Sequence, residues 1–383
     1  MTKGDRYRIL VLNNVRSPSF DPLFSCLSRH SDWDLKVCYV SGRTDDVGWP
    51  SLEGPPSYPV IILSDFGRPR FVAVAQLLVK EKPDYLLVYG YAPGAQMAAI
   101  VFAVLFGIAF GVIGDANVHC DRVTGLVRAA KWAWLKFVAR AASDIFAVGT
   151  AGRLFWERYR VRPEKLHVAP YAVDNDFFAP GAAADLANRA ARRNAPLRLI
   201  FVGRLIRRKN VSLILDALRA LPPHTVSLMV AGEGPERVAL ERLAADVPQE
   251  IRFLGRVEHR DLPRRYGESD ALILAAGLEP WGLVVNEAMA SGLAIIAHEH
   301  VGAVADLVSD CNGVVLHSFD AAELAGAIRL LTSEERLLAM KGASMDRVAS
   351  WNVETAAGAI TGAIHATLVT RVGSGASMSG NEL

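Results

Sequence analysis

Gly277-Leu-Glu279-Pro-Trp281-Gly282-Leu283-Val-Val-Asn-Glu287-Ala-Met-Ala-Ser-Gly292 places two carboxylates eight residues apart around a tight turn that opens a helix. The run before it, Asp270-Ala-Leu-Ile-Leu-Ala275, is short, apolar and bounded by polar residues, so it reads as a buried parallel strand. Leu283 to Met289 reads as a helix that begins just after Gly282. Glu279 then sits at the C-terminal end of a strand, the edge at which open α/β sheets collect ligands. The backbone N–H groups of Gly282, Leu283 and Val284 at the helix start attract a phosphate. Glu287, about one turn further in, carries a carboxylate that can accept two hydrogen bonds from a ribose diol.

A second piece of chemistry lies upstream. Leu197 to Gly203 reads as a strand, and Arg204-Leu-Ile-Arg-Arg-Lys209-Asn210 as the loop into a helix. Arg204 follows the strand-ending glycine and Lys209 stands at the helix start, so two cations converge where an anionic leaving group would form. The competing reading is a solvated basic loop.

Outward from these two motifs, strands and helices alternate along the whole chain. The first half reads as strands Arg8–Leu12, Leu35–Val40, Val60–Leu63, Tyr85–Tyr89 and Ile145–Val148, with helices at Pro22–Ser28, Phe71–Lys80 and Leu126–Ala141. The second half repeats the grammar with strands Val226–Ala231, Ile251–Leu254, Ala294–Ala297 and Gly313–Leu316, and helices Pro235–Asp246 and Leu262–Tyr266. The class is therefore α/β, with two doubly wound parallel-sheet domains. Weak periodicity in Gly181–Pro196 marks a linker. The expected division is 1–180, linker 181–196, 197–350, a C-terminal helix 351–370 and a small polar tail 371–383 expected to be disordered.

At 383 residues and a formal net charge of +2, the chain has ample apolar content for two cores and too little basic excess for nucleic acid to be its main partner. Its four cysteines, Cys26, Cys38, Cys120 and Cys311, have no metal or redox spacing and read as thiols of a reducing compartment. Only eight mostly polar residues precede the apolar run Ile9–Leu12 of the first strand, which leads to the expectation of no secretory signal and a cytoplasmic location. Met97 to Ile113 is apolar enough to suggest a membrane span, but Gly107 divides it into a buried helix and strand.

The Glu279 to Glu287 segment closely resembles the Glu-x7-Glu motif of retaining glycosyltransferases of family 4 (glycosyl transferases group 1), in which the variant Glu-Pro-Trp-Gly-Leu-Val-Val-Asn-Glu-Ala occurs. That resemblance implies the GT-B fold: two Rossmann-like domains facing a cleft, acceptor on the N-terminal one, nucleotide sugar on the C-terminal one, and the last helices from Ala321 onward crossing back to the first. It is sharp from about Leu197 to Leu316 and diffuse before that. Gly203, Arg204 and Lys209 match the family's Gly-Arg…Lys-Gly element, whose cations bind the donor diphosphate. Asn210 stands in place of the usual glycine, and Asn tolerates the left-handed conformation. The loops Gly232-Glu-Gly-Pro235 and Leu254-Gly-Arg256-Val257 end two strands at the same edge. In the family such loops hold the base through backbone near the positions of Arg256 and Val257. Trp281, Gly282, Leu283 and Glu287 complete the implied donor set.

The activity implied is hexosyltransferase-like transfer, with retention, from a nucleoside-diphosphate sugar to a hydroxyl acceptor. The acceptor is a glycan or is lipid-linked, as in polysaccharide or glycolipid assembly. Neither metal nor cofactor is expected beyond the co-substrate. In a front-face mechanism the departing phosphate takes the acceptor's proton, while Glu279 orients sugar hydroxyls and supports oxocarbenium-like charge. Many family members carry a His-Asp pair after the strand Phe110–Ile113; here Gly114 or Asp115 occupies the place of that His, and His119 comes four positions after Asp115. Asp115 or His119 is the catalytic-loop candidate, the competing reading for each being a cap of the next helix. Asn13 to Phe20, expected to face the cleft, has Ser-Pro-Ser-Phe where family members often have a Gly-rich loop.

Competing functions are a nucleotide-sugar epimerase or hydrolase on the same fold, and a non-catalytic nucleotide-sugar-binding protein. A NAD-dependent oxidoreductase is set aside, because Leu12-Asn-Asn-Val-Arg-Ser lacks Gly-x-Gly-x-x-Gly. Asp32-Trp33-Asp34 mimics a metal motif but reads as a loop into a strand. Cys120 beside His119 is not a productive nucleophile pair, since adjacent side chains rarely face each other. The helix from Arg128 to Arg140 is basic and aromatic, and reads as core packing with snorkelling cations, with a peripheral contact to the inner face of a membrane as the other reading.

Overall fold

Adjacent strands with near-continuous apolar runs are buried on both faces, and each needs a crossover helix to return the chain in parallel. The computed structural model describes residues 6–42, 54–92, 94–120, 123–181 and 195–378, the side chains of 373–378 excepted, and it meets that requirement twice. The described residues up to Tyr171 together with those from Val353 onward form one unit; Ala172–Asn352 form the other.

The first unit is built on β1 (Tyr7–Asn13), β2 (Trp33–Tyr39), β3 (Val60–Ile62), β4 (Tyr85–Tyr89), β5 (Ala109–Gly114), β6 (Asp144–Ala147) and β7 (Leu166–Val168). These strands pair in the order β3-β2-β1-β4-β5-β6-β7, all parallel. The order reverses between β1 and β4, so the loops after those two strands diverge at the C-terminal edge. There the amide of Gln96, in the helix after β4, donates to Asn14 Oδ1 in the loop after β1.

The second unit carries β8 (Leu197–Val202), β9 (Val226–Ala231), β10 (Glu250–Gly255), β11 (Ala271–Leu274), β12 (Ala294–His298) and β13 (Gly313–Leu316), in the order β10-β9-β8-β11-β12-β13. Its reversal lies between β8 and β11, which pair through Ala271 with Leu199 and Leu272 with Ile200. The helix Val211–Arg219 buries Val211, Ile214, Leu215 and Leu218, one stripe at helical spacing.

The expected fold class, two parallel-sheet α/β domains, is what the chain forms. Some details differ. Of the three helices expected to cross back, only Val353–Met378 packs in the first unit, where Thr367 Oγ1 donates to the buried Asp144 Oδ2 at 2.8 Å. Ala321–Leu330 and Glu334–Ala349 stay in the second, because their apolar stripes are taken by the helices Val211–Arg219 and Leu283–Ala290. The last helix runs past Val369 to Met378, since no proline interrupts its hydrogen-bond ladder. Of the expected linker, 182–194 lies outside the described residues, as do 379–383 of the tail. The helix Gly149–Glu157 and β7 have no counterpart in the sequence reading: Gly149 and Gly152 imitate a turn, and three residues are too few to show a period. The Met97–Ile113 run divides as expected into the helix Ala95–Leu105 and β5. No helix among the described residues is long and apolar enough to cross a membrane. Asp32 and Asp34 flank the buried Trp33 at the start of β2, as a loop-to-strand junction requires.

Candidate active site

The reversal between β8 and β11 sends their following loops to opposite sides of a crevice, and side chains meet across it. After β8 the chain makes a short 3-10 turn, Arg207–Lys209, and enters the helix Val211–Arg219 through Asn210, which holds a left-handed φ of +52°. Asn210 thus supplies the conformation that a glycine would have given. Its amide also donates to Ala275 O at 3.1 Å, Gly277 N–H donates to Arg208 O at 2.8 Å, and Arg208 donates to Leu278 O at 3.2 Å. These three bonds stitch the β8 loop to the β11 loop. Between them Lys209, a residue only 8% exposed, bonds through its ammonium to the Glu279 carboxylate.

The turn after Glu279 depends on glycine. Gly282 has φ +93°, and a Cβ there would lie 2.9 Å from Val301 Cγ1 and 3.2 Å from Glu279 Cγ. The loop after β12 holds this turn by its main chain: Gly302 N–H donates to Glu279 O at 3.1 Å and Ala303 N–H to Trp281 O at 2.9 Å. The helix Leu283–Ala290 opens directly from Gly282, with its N-terminal dipole at the strand edge. Two further glycines let neighbouring loops touch backbone to backbone. A Cβ on Gly232 would sit 1.9 Å from Gly203 O, and one on Gly234 would sit 2.3 Å from Leu205 O. Gly203, Gly232 and Gly255 therefore lie in one row at the ends of β8, β9 and β10, joined by Gly203 N–H to Ala231 O and Gly232 N–H to Gly255 O.

Glu287 is buried, and Tyr266 Oη donates to its Oε2 at 2.7 Å. Burial pushes its carboxyl up to about 7 from 4.5, against the downward pull of the Tyr266 hydrogen bond. Sequence reading gave Tyr266 no role, because the partner is 21 residues away. Trp281 turns its indole inward, where Nε1–H donates to Asn286 Oδ1 at 2.9 Å and the ring stacks on Trp351 at 5.6 Å. What Trp281 offers at the turn is main chain. Phe319, also absent from the sequence reading, stacks on His298 at 3.9 Å and borders Gly277.

The cations expected to converge are unlike. Lys209 is buried and engaged, whereas Arg204 is exposed. Arg256 is exposed and 3.8 Å from Glu258, and Val257 beside it is half-buried. Asp115 and His119 belong to the first unit. Asp115 is exposed at the end of β5; His119 lies in a turn whose N–H groups at 119 and 120 both donate to the buried Asn117 Oδ1, at 2.9 and 3.1 Å. That turn resembles a local capping device. Among the described residues no group of three or more His, Cys, Asp or Glu is placed to hold a metal ion.

Known proteins resemble this chain in sequence and in fold. It is 26% identical over 225 residues to the alpha-D-kanosaminyltransferase of Streptomyces kanamyceticus, a match covering 57% of each chain. It is 31% identical over 215 residues to the D-inositol 3-phosphate glycosyltransferase of Geodermatophilus obscurus, covering 52% of this chain and 47% of that one. The chain spans about half the length of these curated relatives. The crystal structure of Anabaena HepE in complex with UDP-glucose matches its fold with a TM-score of 0.74 at 17% identity, over 94% of this chain and 99% of that one. Both parallel-sheet units thus have the architecture of GT-B glycosyltransferases. The stretch that holds Lys209, Tyr266, Glu279 and Glu287, residues 185–344, matches the family described as glycosyl transferases group 1.

Proposed function

We propose that this protein is a retaining glycosyltransferase that moves a sugar from a nucleoside diphosphate to a hydroxyl acceptor, a glycan or a lipid-linked molecule, without metal or cofactor. The observation that carries the reading is the part-buried Lys209–Glu279 pair at the strand-order reversal, beside a helix opened by a left-handed glycine. A cation, a carboxylate and a helix N-terminus brought together by the loops after β8 and β11 suit a diphosphate attached to a polyhydroxylated ring.

In this reading the diphosphate lies on the N–H groups after Gly282 and draws the Lys209 ammonium, with Arg204 as an exposed second cation. Glu279 then turns to the sugar hydroxyls. Glu287 accepts from the ribose, and the Arg256–Val257 backbone flanks the base. The bond from the anomeric carbon to the phosphate oxygen breaks as the acceptor oxygen bonds on the same face. The acceptor's proton passes to the departing phosphate, so no protein base is consumed. Asp115 or His119 is the first-unit group proposed to meet the sugar or acceptor. The cytoplasm is the proposed setting. The UDP-glucose in the HepE structure makes uridine nucleotides the first donors to try.

The test is a product analysis: nucleotide sugars are offered with and without hydroxyl acceptors, and the anomeric configuration of the product is read by NMR. Acceptor-dependent transfer with retained configuration is expected. Inverted product, or release of free sugar at the same rate without acceptor, overturns the reading in favour of another mechanism or a hydrolase.

A further inference from the structure

The helix Gly125–Ala141 is unusual in what it leaves in water. Its sequence, GLVRAAKWAWLKFVARA, holds four cations and no carboxylate, in a chain whose net charge is only +2, so the rest of the chain is slightly acidic. Leu135, Val138 and Ala139 alone are buried against the sheet. Residues 124–130 are exposed on every side, which means the first turns of the helix stand clear of the core.

At 100° per residue, Leu126, Ala130, Ala133 and Phe137 share one stripe, and that stripe points away from Leu135, Val138 and Ala139. The outward face, where a helix packed on its own sheet normally carries polar groups, is therefore apolar: Leu126 is 90% exposed and Phe137 41%. Trp132, 54% exposed, lies on the flank of the helix between this stripe and the buried face, with the Lys136 ammonium 5.5 Å from its ring centroid. Lys136 and Arg140 flank the stripe on that same side. An apolar ridge edged by cations matches a helix lying in a lipid headgroup layer.

We propose that the helix Gly125–Ala141 docks this protein on an anionic lipid bilayer, with Leu126 and Phe137 inserted and Lys136 and Arg140 against headgroup phosphates. Charge selects this occupant. A second copy packed through the same face would oppose Lys136 and Arg140 with two more cations, whereas an anionic surface neutralises them. The core-packing reading of the helix accounts for Leu135, Val138 and Ala139, and for Trp134, which donates to Tyr91 O and stacks on Phe137, but leaves Leu126, Trp132 and the exposed part of Phe137 unexplained. The helix follows the Asp115–Cys120 turn at the C-terminal edge of the first sheet, so docking would bring that edge to the headgroup level. Docking does not depend on the transfer chemistry proposed above and is measured without it.

The experiment is co-sedimentation of the full chain with vesicles of phosphatidylcholine alone and of phosphatidylcholine with phosphatidylglycerol, at low and high salt. Binding to the anionic vesicles, weak binding to the neutral ones and release by salt are expected. Leu126→Asp and the double change Lys136→Glu with Arg140→Glu should each lower partitioning by about tenfold or more. These side chains face solvent or sit at the edge of the exposed stripe, so circular dichroism and nucleotide binding should stay as in the parent protein. Equal binding to both vesicle types, no binding to either, or parent-like binding by both variants overturns the proposal. Concentration-dependent self-association abolished by Leu126→Asp would also overturn it, assigning the face to a second copy.

Discussion

Lys209 and Glu279 are 70 residues apart in sequence and form a part-buried ion pair across the strand-order reversal of the second unit. An ammonium and a carboxylate held this way are each ready for a ligand of opposite sign, because the pair already meets most of the cost of burying two charges. A donor diphosphate would compete for the ammonium, and a sugar hydroxyl for the carboxylate. The two residues should therefore fail differently. Lys209→Ala should weaken nucleoside diphosphate binding by about 10- to 100-fold, the loss of one charge-assisted contact. Glu279→Gln should leave that binding within about threefold while cutting transfer by about 100-fold or more. Calorimetry and turnover on the same samples separate the two.

Glu287 predicts a pH dependence. Its folded pKa of about 7 stands above the ordinary 4.5, so protonation favours the folded state. The associated stability is full below about 4.5 and is lost as pH rises through about 7. Urea melts of Glu287→Gln and the parent, compared from about pH 4 to pH 8, should shift in the variant's favour by on the order of 3 kcal/mol. Nucleotide affinity should move the other way, rising as the carboxylate forms and becomes a double acceptor for the ribose. In Glu287→Gln it should be weak and flat with pH.

Gly282→Ala tests the turn. A side chain at φ +93° is strained, and its Cβ would press on Val301. A loss of about 2–4 kcal/mol in denaturant stability is expected, with nucleotide binding down by about tenfold or more because the helix start no longer faces the crevice.

Trp281→Phe separates packing from binding. The indole donates to Asn286 and stacks on Trp351, so the change should cost about 1–3 kcal/mol. Nucleotide Kd should stay within about threefold, as only the Trp281 main chain lies at the turn.

What the sequence disclosed follows from which signals are local. Gly282 could be placed because a glycine between an apolar run and a helical run punctuates both. A left-handed Asn210 was within reach because it stands where the resembled family has a glycine, and Asn tolerates that conformation. The bond between Lys209 and Glu279 could not be read, since it depends on two strands becoming neighbours through a reversal of strand order. Glu287 could be named from its place in the motif, but its bond to Tyr266 could not, since it joins the helices before and after β11, a packing that no local pattern shows. Trp281 shows another limit: a turn residue can send its side chain either way, and only the packing partner Trp351, outside the motif, decides. The outward apolar stripe of Gly125–Ala141 has the same composition as a core helix, and the difference lies in how far the sheet beneath it extends.

The most direct measurement of the central claim is binding of UDP, GDP, ADP and dTDP to the purified protein, with and without EDTA, in parent and Lys209→Ala. The account predicts that one nucleotide binds at micromolar concentration, unaffected by EDTA, and that Lys209→Ala loses it. If no nucleotide binds even at millimolar concentration, or if Lys209→Ala binds as the parent does, the pair at the β8–β11 reversal is not a donor site.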